Sequence, residues 1–263
     1  MKYKMIATDM DGTLLDDAKN ISPVTLNIIK QAINDGALFA FSTGRPPQAI
    51  FKYRNIVSPD SYIIAYNGAM IMSGDNEIIF EQGLSTESAI QILDYVKYYD
   101  TTACIWSRNK LYVNKLNQRA AIYKKNVMTE PLLCTDIDKL LEQGITKILW
   151  FDTPERTIQF QNELRDVLNK DTVFCPSTAE YLEFFSSKVS KGLAIERLAA
   201  RHNIKREEII AFGDNCNDIE MIEYAGLGVA MANSPDIVKQ SADYITLDNN
   251  NDGVAHALSQ FLG

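Results

Sequence analysis

Met5-Ile6-Ala7-Thr8-Asp9-Met10-Asp11-Gly12-Thr13 is the stretch from which the rest of the chain is read. The apolar run Met5–Ala7 predicts a β-strand, and two carboxylates follow it at spacing i, i+2. Residues i and i+2 of an extended chain point to the same side. Asp9 and Asp11 are therefore expected to repel one another, and a bound cation would relieve this. Gly12 permits a sharp turn as the chain leaves the sheet. Taken alone, the segment reads equally as a turn with solvated acids, so the decision rests on its surroundings.

Outward from this strand, short apolar runs alternate with amphipathic segments. Ser22-Pro23 offers an N-cap followed by proline at the first helical position. Leu26, Ile29 and Ile33 continue at helical spacing, and Gly36 is placed to end that helix. Strand-like runs recur at residues 37–41, 62–66, 209–212 and 227–231, the last two each followed by a helical pattern. This alternation predicts an α/β fold: a Rossmann-like, doubly wound parallel sheet covered on both faces. The middle differs. Helices are expected at 87–99, 117–125 and 155–168, with strands at 102–106, 110–113, 146–151, 173–175 and 181–185. The hairpin-like pair around Arg108-Asn109 suggests an antiparallel sheet. The expected organisation is a core of residues 1–83 and 188–263, with an α+β cap, residues 84–187, inserted between.

The chain has 263 residues, with 26 Lys and Arg against 34 Asp and Glu, a formal charge of -8. That balance opposes general affinity for nucleic acid or anionic lipid. No run approaches the ~18 apolar residues of a membrane span, and the N-terminus lacks a secretory signal pattern. Cys104, Cys134, Cys175 and Cys216 form no CxxC pair, which fits reduced thiols and an expected cytoplasmic location. With only His202 and His256 present, histidine-rich zinc sites and a Ser-His-Asp triad are disfavoured. Gly226-Leu227-Gly228 fails the dinucleotide fingerprint because Met231 occupies the third glycine position.

Further polar clusters follow the apolar runs. They are Ser42-Thr43-Gly44-Arg45, Tyr66-Asn67-Gly68, and Gly213-Asp214-Asn215-Cys216-Asn217-Asp218. Ligands of parallel sheets collect outside the carboxyl ends of the strands, so these clusters can converge on one crevice. Thr43 and Gly44, expected to open the next helix, suggest a phosphate cradle; an ordinary N-cap is the simpler reading of that pair alone. Lys191, in Ser190-Lys191-Gly192, opens another helix, where a cation opposes the macrodipole. It could offset crowded carboxylates and hold an anion. Oxygen ligands without histidine or cysteine favour a hard cation such as Mg2+.

In this order the clusters resemble the haloacid dehalogenase-like superfamily, most closely its Cof-type branch with a class IIB cap. The likeness runs from Asp9-Met10-Asp11-Gly12-Thr13-Leu14-Leu15 to Asn251-Asp252-Gly253-Val254-Ala255. It implies a Mg2+-dependent phosphatase acting on small phosphorylated metabolites, such as sugar phosphates or phosphorylated cofactors, through an aspartyl-phosphate. By position, Asp9 would be the nucleophile and Asp11 the acid and base. Asp9, the backbone carbonyl of Asp11, and Asp214 would bind the metal, with Asp218 supporting them. Met10, Thr43, Gly44, Arg45, Asn67, Gly68, Asn217 and the catalytic Lys191 would hold the substrate and its phosphoryl group. The inserted cap would select the leaving group, with candidates around Trp106-Ser107-Arg108 and Tyr181-Glu183. The expected assembly is a monomer or small homo-oligomer. A phosphomutase and a non-catalytic metabolite sensor are the alternatives; the pairing of Asp9 with Asp11 speaks against the sensor.

Overall fold

A computed structural model describes residues 2–262 of the chain. They form two units, residues 2–80 with 190–262, and Glu81–Val189. These divisions, at 80/81 and 189/190, lie three and two residues from the expected 83/84 and 187/188. Glu81 is tied to the second unit by accepting a bond from Thr146 Oγ1 at 2.6 Å, and within that unit the Leu84 and Ser187 amides donate to the Ile145 and Asp171 carbonyls.

The chain begins in the first unit with β1 (Met5–Thr8), α1 (Pro23–Asn34), β2 (Leu38–Ser42), α2 (Phe51–Val57), β3 (Tyr62–Ala65), β4 (Met70–Met72) and β5 (Ile78–Glu81), whose last residue belongs to the second unit. The second unit supplies α3 (Thr86–Tyr99), β6 (Thr102–Ser107), β7 (Lys110–Val113), α4 (Gln118–Val127), β8 (Leu132–Leu133), α5 (Ile137–Gln143), β9 (Lys147–Phe151), α6 (Pro154–Leu164), β10 (Thr172–Thr178) and β11 (Tyr181–Ser186). The first unit is completed by α7 (Lys191–Arg201), β12 (Ile209–Gly213), α8 (Ile219–Tyr224), β13 (Leu227–Ala230), α9 (Asp236–Gln240), β14 (Tyr244–Ile245) and α10 (Gly253–Phe261). Among the described residues, no helix is long and apolar enough to cross a membrane.

The first sheet runs β14-β13-β12-β1-β2-β3-β4-β5. From β14 to β3 every pairing is parallel, whereas β4 is antiparallel to β3. The expected parallel sheet thus carries an antiparallel extension at one edge. Strand order reverses beside β1: the chain moves outward through β2 and β3, then returns to start again at β12. Register places Thr8 beside Phe41 and Phe212, so Asp9 and the segments after β2 and β12 emerge together at this switch point. Beneath it, Met5, Ala7, Ala40, Ile64, Ile209 and Ala211 pack against Ala194, Ile195, Leu198 and Ala199 of α7. That packing anchors the first turn of α7, where Lys191 sits. Ser22 caps α1 as expected by accepting the Thr25 amide, and Asp252 of the tail motif holds the Ser22 and Thr25 hydroxyls.

One helix start differs from expectation. After β2, residues 43–46 remain irregular, a short turn spans Pro47–Ala49, and α2 begins only at Phe51. Pro46 and Pro47 disfavour helical backbone in the residues before them. Thr43 and Gly44 therefore lie in a loop, where the Arg45 amide donates to Thr43 Oγ1 at 3.2 Å.

The second unit contains the sheet β10-β11-β9-β6-β7-β8, antiparallel except where β8 joins β7. Alternate residues Ala103, Ile105, Ile148, Trp150, Leu182 and Phe184 form one face, packed against α3, α5 and α6. β8 and α5 have no counterpart in the sequence reading: the strand has two residues and the helix seven, too few for a periodic signal. α6 stops at Leu164, short of the expected Leu168, and the carbonyl of Val167 in the following turn is taken by Gln91 Nε2 at 2.7 Å. On the opposite face Lys147 and Glu183 form a buried ion pair at 2.6 Å. Asp152, at the end of β9, is buried under Arg119, Arg156 and Thr101.

Phe160 is fully buried, with its ring 5.2 Å from Trp150 and 4.8 Å from Tyr99. Phe160→Ala is expected to cost about 3–5 kcal/mol. Urea unfolding should show a lower midpoint with an unchanged slope.

Candidate active site

The Asp9 amide continues the sheet by donating to the Phe212 carbonyl at 2.9 Å. Beyond it the backbone curls: the Leu14 and Leu15 amides return to the Asp9 and Met10 carbonyls, and Gly12 takes φ +82°. The two carboxylates of the motif have different partners: Lys191 reaches Asp9, whereas Arg45 and Lys19 reach Asp11.

Asp9 is buried and receives Lys191 Nζ on Oδ1 at 2.5 Å. The same ammonium reaches Asp218 Oδ1 at 2.6 Å, and Lys191 is fully buried. Burial alone would lower the Lys191 pKa, but Asp218 and Asp9 outweigh it and hold the ammonium form. Burial drives the Asp9 carboxyl well above the usual carboxylate range, and Asp218 and Asp214 add repulsion that Lys191 opposes. The other oxygen of Asp218 accepts the Asp214 and Asn215 amides, each at 3.0 Å. Asp218 thus has both oxygens engaged and ties Lys191 to the loop after β12.

Asp214 accepts Thr13 Oγ1 at 2.7 Å. Its burial, with repulsion from Asp218, pushes its carboxyl up to about 6 despite that hydrogen bond. Carboxylate oxygens of Asp9, Asp214 and Asp218 lie within 4.8 Å of one another. A Cβ at Gly12 would stand 2.5 Å from Asp214 Oδ2, so glycine preserves the space beside that acid. Hard oxygen donors gathered this closely suit a divalent cation.

Asp11 has partners of its own, although its charge still reaches Asp214. Arg45 grips it with Nε on Oδ2 at 2.6 Å and Nη2 on Oδ1 at 2.5 Å, and Lys19 Nζ adds a third bond at 2.8 Å. Burial acts to raise the Asp11 pKa, yet the bonds and charges of Arg45 and Lys19 together lower it. Arg45, expected to touch substrate, is thus paired with the second acid. Met10 is fully buried, which leaves only its backbone to meet a ligand. Asn217 is exposed, and its Nδ2 donates to Asn67 Oδ1 at 3.0 Å. Gly68 abuts the Ser190 carbonyl so closely that any Cβ would collide with it.

Three participants escaped the sequence reading. Thr13 follows the acidic pair directly, and its side chain was read only as part of the motif. Asn233 Nδ2 holds the Gly12 carbonyl at 2.8 Å from a loop remote in sequence. Lys19 has a left-handed backbone, φ +63°, which no lysine pattern announces.

A family model for haloacid dehalogenase-like hydrolases matches residues 6–258. A putative phosphatase of Bacillus subtilis, YxeH, is 33% identical over 99% of this chain and 98% of its own length. The 5-amino-6-(5-phospho-D-ribitylamino)uracil phosphatase YitU of the same organism is 30% identical, covering 99% and 98%. A crystal structure of a haloacid dehalogenase-like hydrolase from Bacteroides thetaiotaomicron superposes with a TM-score of 0.88 at 28% identity, covering 98% and 99%.

Without divalent cation, the raised pKa of Asp214 should be visible in stability. A carboxyl raised from 3.8 to about 6 on folding favours the fold when protonated. That contribution is complete below about pH 4 and is lost as pH rises through about 6. Relative to Asp214→Asn, the unmodified protein should lose roughly 2–3 kcal/mol over that interval. Chemical denaturation of both proteins across a pH series checks it, and a constant difference would refute the assignment.

Proposed function

This chain belongs to the haloacid dehalogenase-like hydrolases and is a phosphatase of their Cof-type branch; on that premise we propose that it hydrolyses small phosphorylated metabolites through an aspartyl-phosphate on Asp9. The observation that carries this reading is the Lys191 ammonium, held between Asp9 and Asp218 beside Asp214. Lys191 fixes one oxygen of the Asp9 carboxylate and keeps a positive charge where a phosphate must approach. Asp9 would attack phosphorus as the bond to the leaving oxygen breaks, with Asp11 giving that oxygen a proton. Water would then attack phosphorus, pass a proton to Asp11, and release phosphate from Asp9. Splitting one displacement into two is the usual gain of covalent catalysis. The ionised Asp11 held by Arg45 and Lys19 is the form the second step requires; to serve as acid in the first step it would have to leave those partners and take up a proton from water.

Asp9, the Asp11 carbonyl and Asp214 would hold Mg2+, which when bound supplies positive charge against the phosphoryl oxygens. Asp218 would support that set by fixing the Asp214 amide. Thr43, Gly44, Asn217 and Lys191 would hold the phosphoryl oxygens, since phosphoryl transfer depends mainly on positioning and charge stabilisation. The unit Glu81–Val189 would select the alcohol part of the substrate. The ribityl phosphate named for the relative YitU supports sugar phosphates and phosphorylated cofactors as substrate classes.

A phosphate-release screen over a metabolite panel tests this reading. A generic phosphate ester should be hydrolysed with Mg2+ and not after chelation. Asp9→Asn should lower turnover by about 1,000-fold or more while its circular dichroism and Tm stay near those of the parent. Undiminished turnover in Asp9→Asn would remove the nucleophile. Isomerised sugar phosphate in place of free phosphate would reveal a mutase.

A further inference from the structure

The turn Tyr66-Asn67-Gly68 carries three consecutive residues in the left-handed region, at φ +52°, +55° and +97°. Asparagine tolerates this conformation better than most residues, and tyrosine does not. The turn is held in place from several sides. The Tyr66 amide donates to the Arg45 carbonyl and the Asn67 amide to the Thr43 carbonyl, at 3.2 and 3.0 Å. Gly68 presses on the Ser190 carbonyl, at the cap of the helix that begins with Lys191. One short turn therefore touches the Thr43–Arg45 loop and the start of α7.

Asn67 adds a link to the third loop. Its residue is 5% exposed, and its Oδ1 accepts from Asn217 Nδ2 at 3.0 Å. Its carboxamide also lies against Gly44, where a Cβ would stand 3.0 Å from Oδ1. An asparagine amide has two N–H donors. With one committed to Asn67, the nitrogen end of the exposed Asn217 side chain has a set direction, and the second N–H can serve an anion.

We propose that Asn67 is a positioning residue: its left-handed backbone carries a buried carboxamide that orients the Asn217 amide toward the phosphoryl group. This rests on the phosphatase reading above and on Asn217 as a phosphate donor. Asn67 itself does not touch substrate. It acts by fixing which end of Asn217 faces the pocket.

Asn67→Gly removes the carboxamide and keeps a residue that accepts positive φ, so its Tm should stay near that of the parent. Its kcat/KM for a generic phosphate ester, and its affinity for inorganic phosphate as a competitive inhibitor, should fall roughly 10- to 100-fold. Asn217→Ala should show a loss of similar size, and the double variant should lose little more than either single one. Two multiplicative losses would overturn the coupling while leaving Asn217 a phosphate donor. Full activity in Asn67→Gly would overturn it as well. An Asn217→Ala variant with parental phosphate affinity would overturn both this proposal and the donor role on which it rests.

Discussion

A lysine ammonium with no exposure to solvent is the constraint around which the first unit is arranged. Taking such a charge out of water costs several kcal/mol unless partners with good geometry replace the lost hydration. Lys191 has two, Asp9 at 2.5 Å and Asp218 at 2.6 Å, and they come from opposite sides of the strand-order reversal. Asp9 follows β1, and Asp218 follows β12. The charge can be buried only if β1, β12 and the first turn of α7 keep their mutual placement, so the apolar packing under α7 and the ionic contact above it support one another. Asp218 passes the constraint onward by accepting the Asp214 and Asn215 amides.

The same arrangement gives chemically similar side chains different properties. Asp9 and Asp214 are raised by burial and by neighbouring carboxylates, while Asp11 is lowered by a guanidinium and an ammonium. Two residues apart in sequence, Asp9 and Asp11 sit in opposite electrostatic surroundings because Asp9 is buried beside other carboxylates, whereas Asp11 meets Arg45 and Lys19. A site that separates the tendencies of its acids in this way can assign them separate tasks.

Much of this arrangement was legible in the residues. The Ser22 cap with Pro23, the continuous apolar strands and the hairpin at Arg108-Asn109 all carry their signals within a few positions. Polar clusters directly after apolar runs identified Asp9, Thr43, Asn67 and Asp214 as candidates, because a parallel sheet presents such clusters at one edge. One misreading came where local rules compete: Thr43-Gly44 looks like a helix start, yet the two prolines that follow delay α2 to Phe51.

From its sequence alone, the chain's α/β class, the family it resembles and the positions bearing ionisable groups could be established, because these depend on period, composition and short spacings. Which group meets which was decided by the tertiary structure. Lys191 lies 182 residues from Asp9, and Thr13 lies 201 from Asp214. Contacts of that separation depend on strand order and register, which no local pattern encodes. The partners of Asp11 and the left-handed turn at Asn67 belong to the same class: their geometry is imposed by neighbours and becomes visible only once the strands lie side by side.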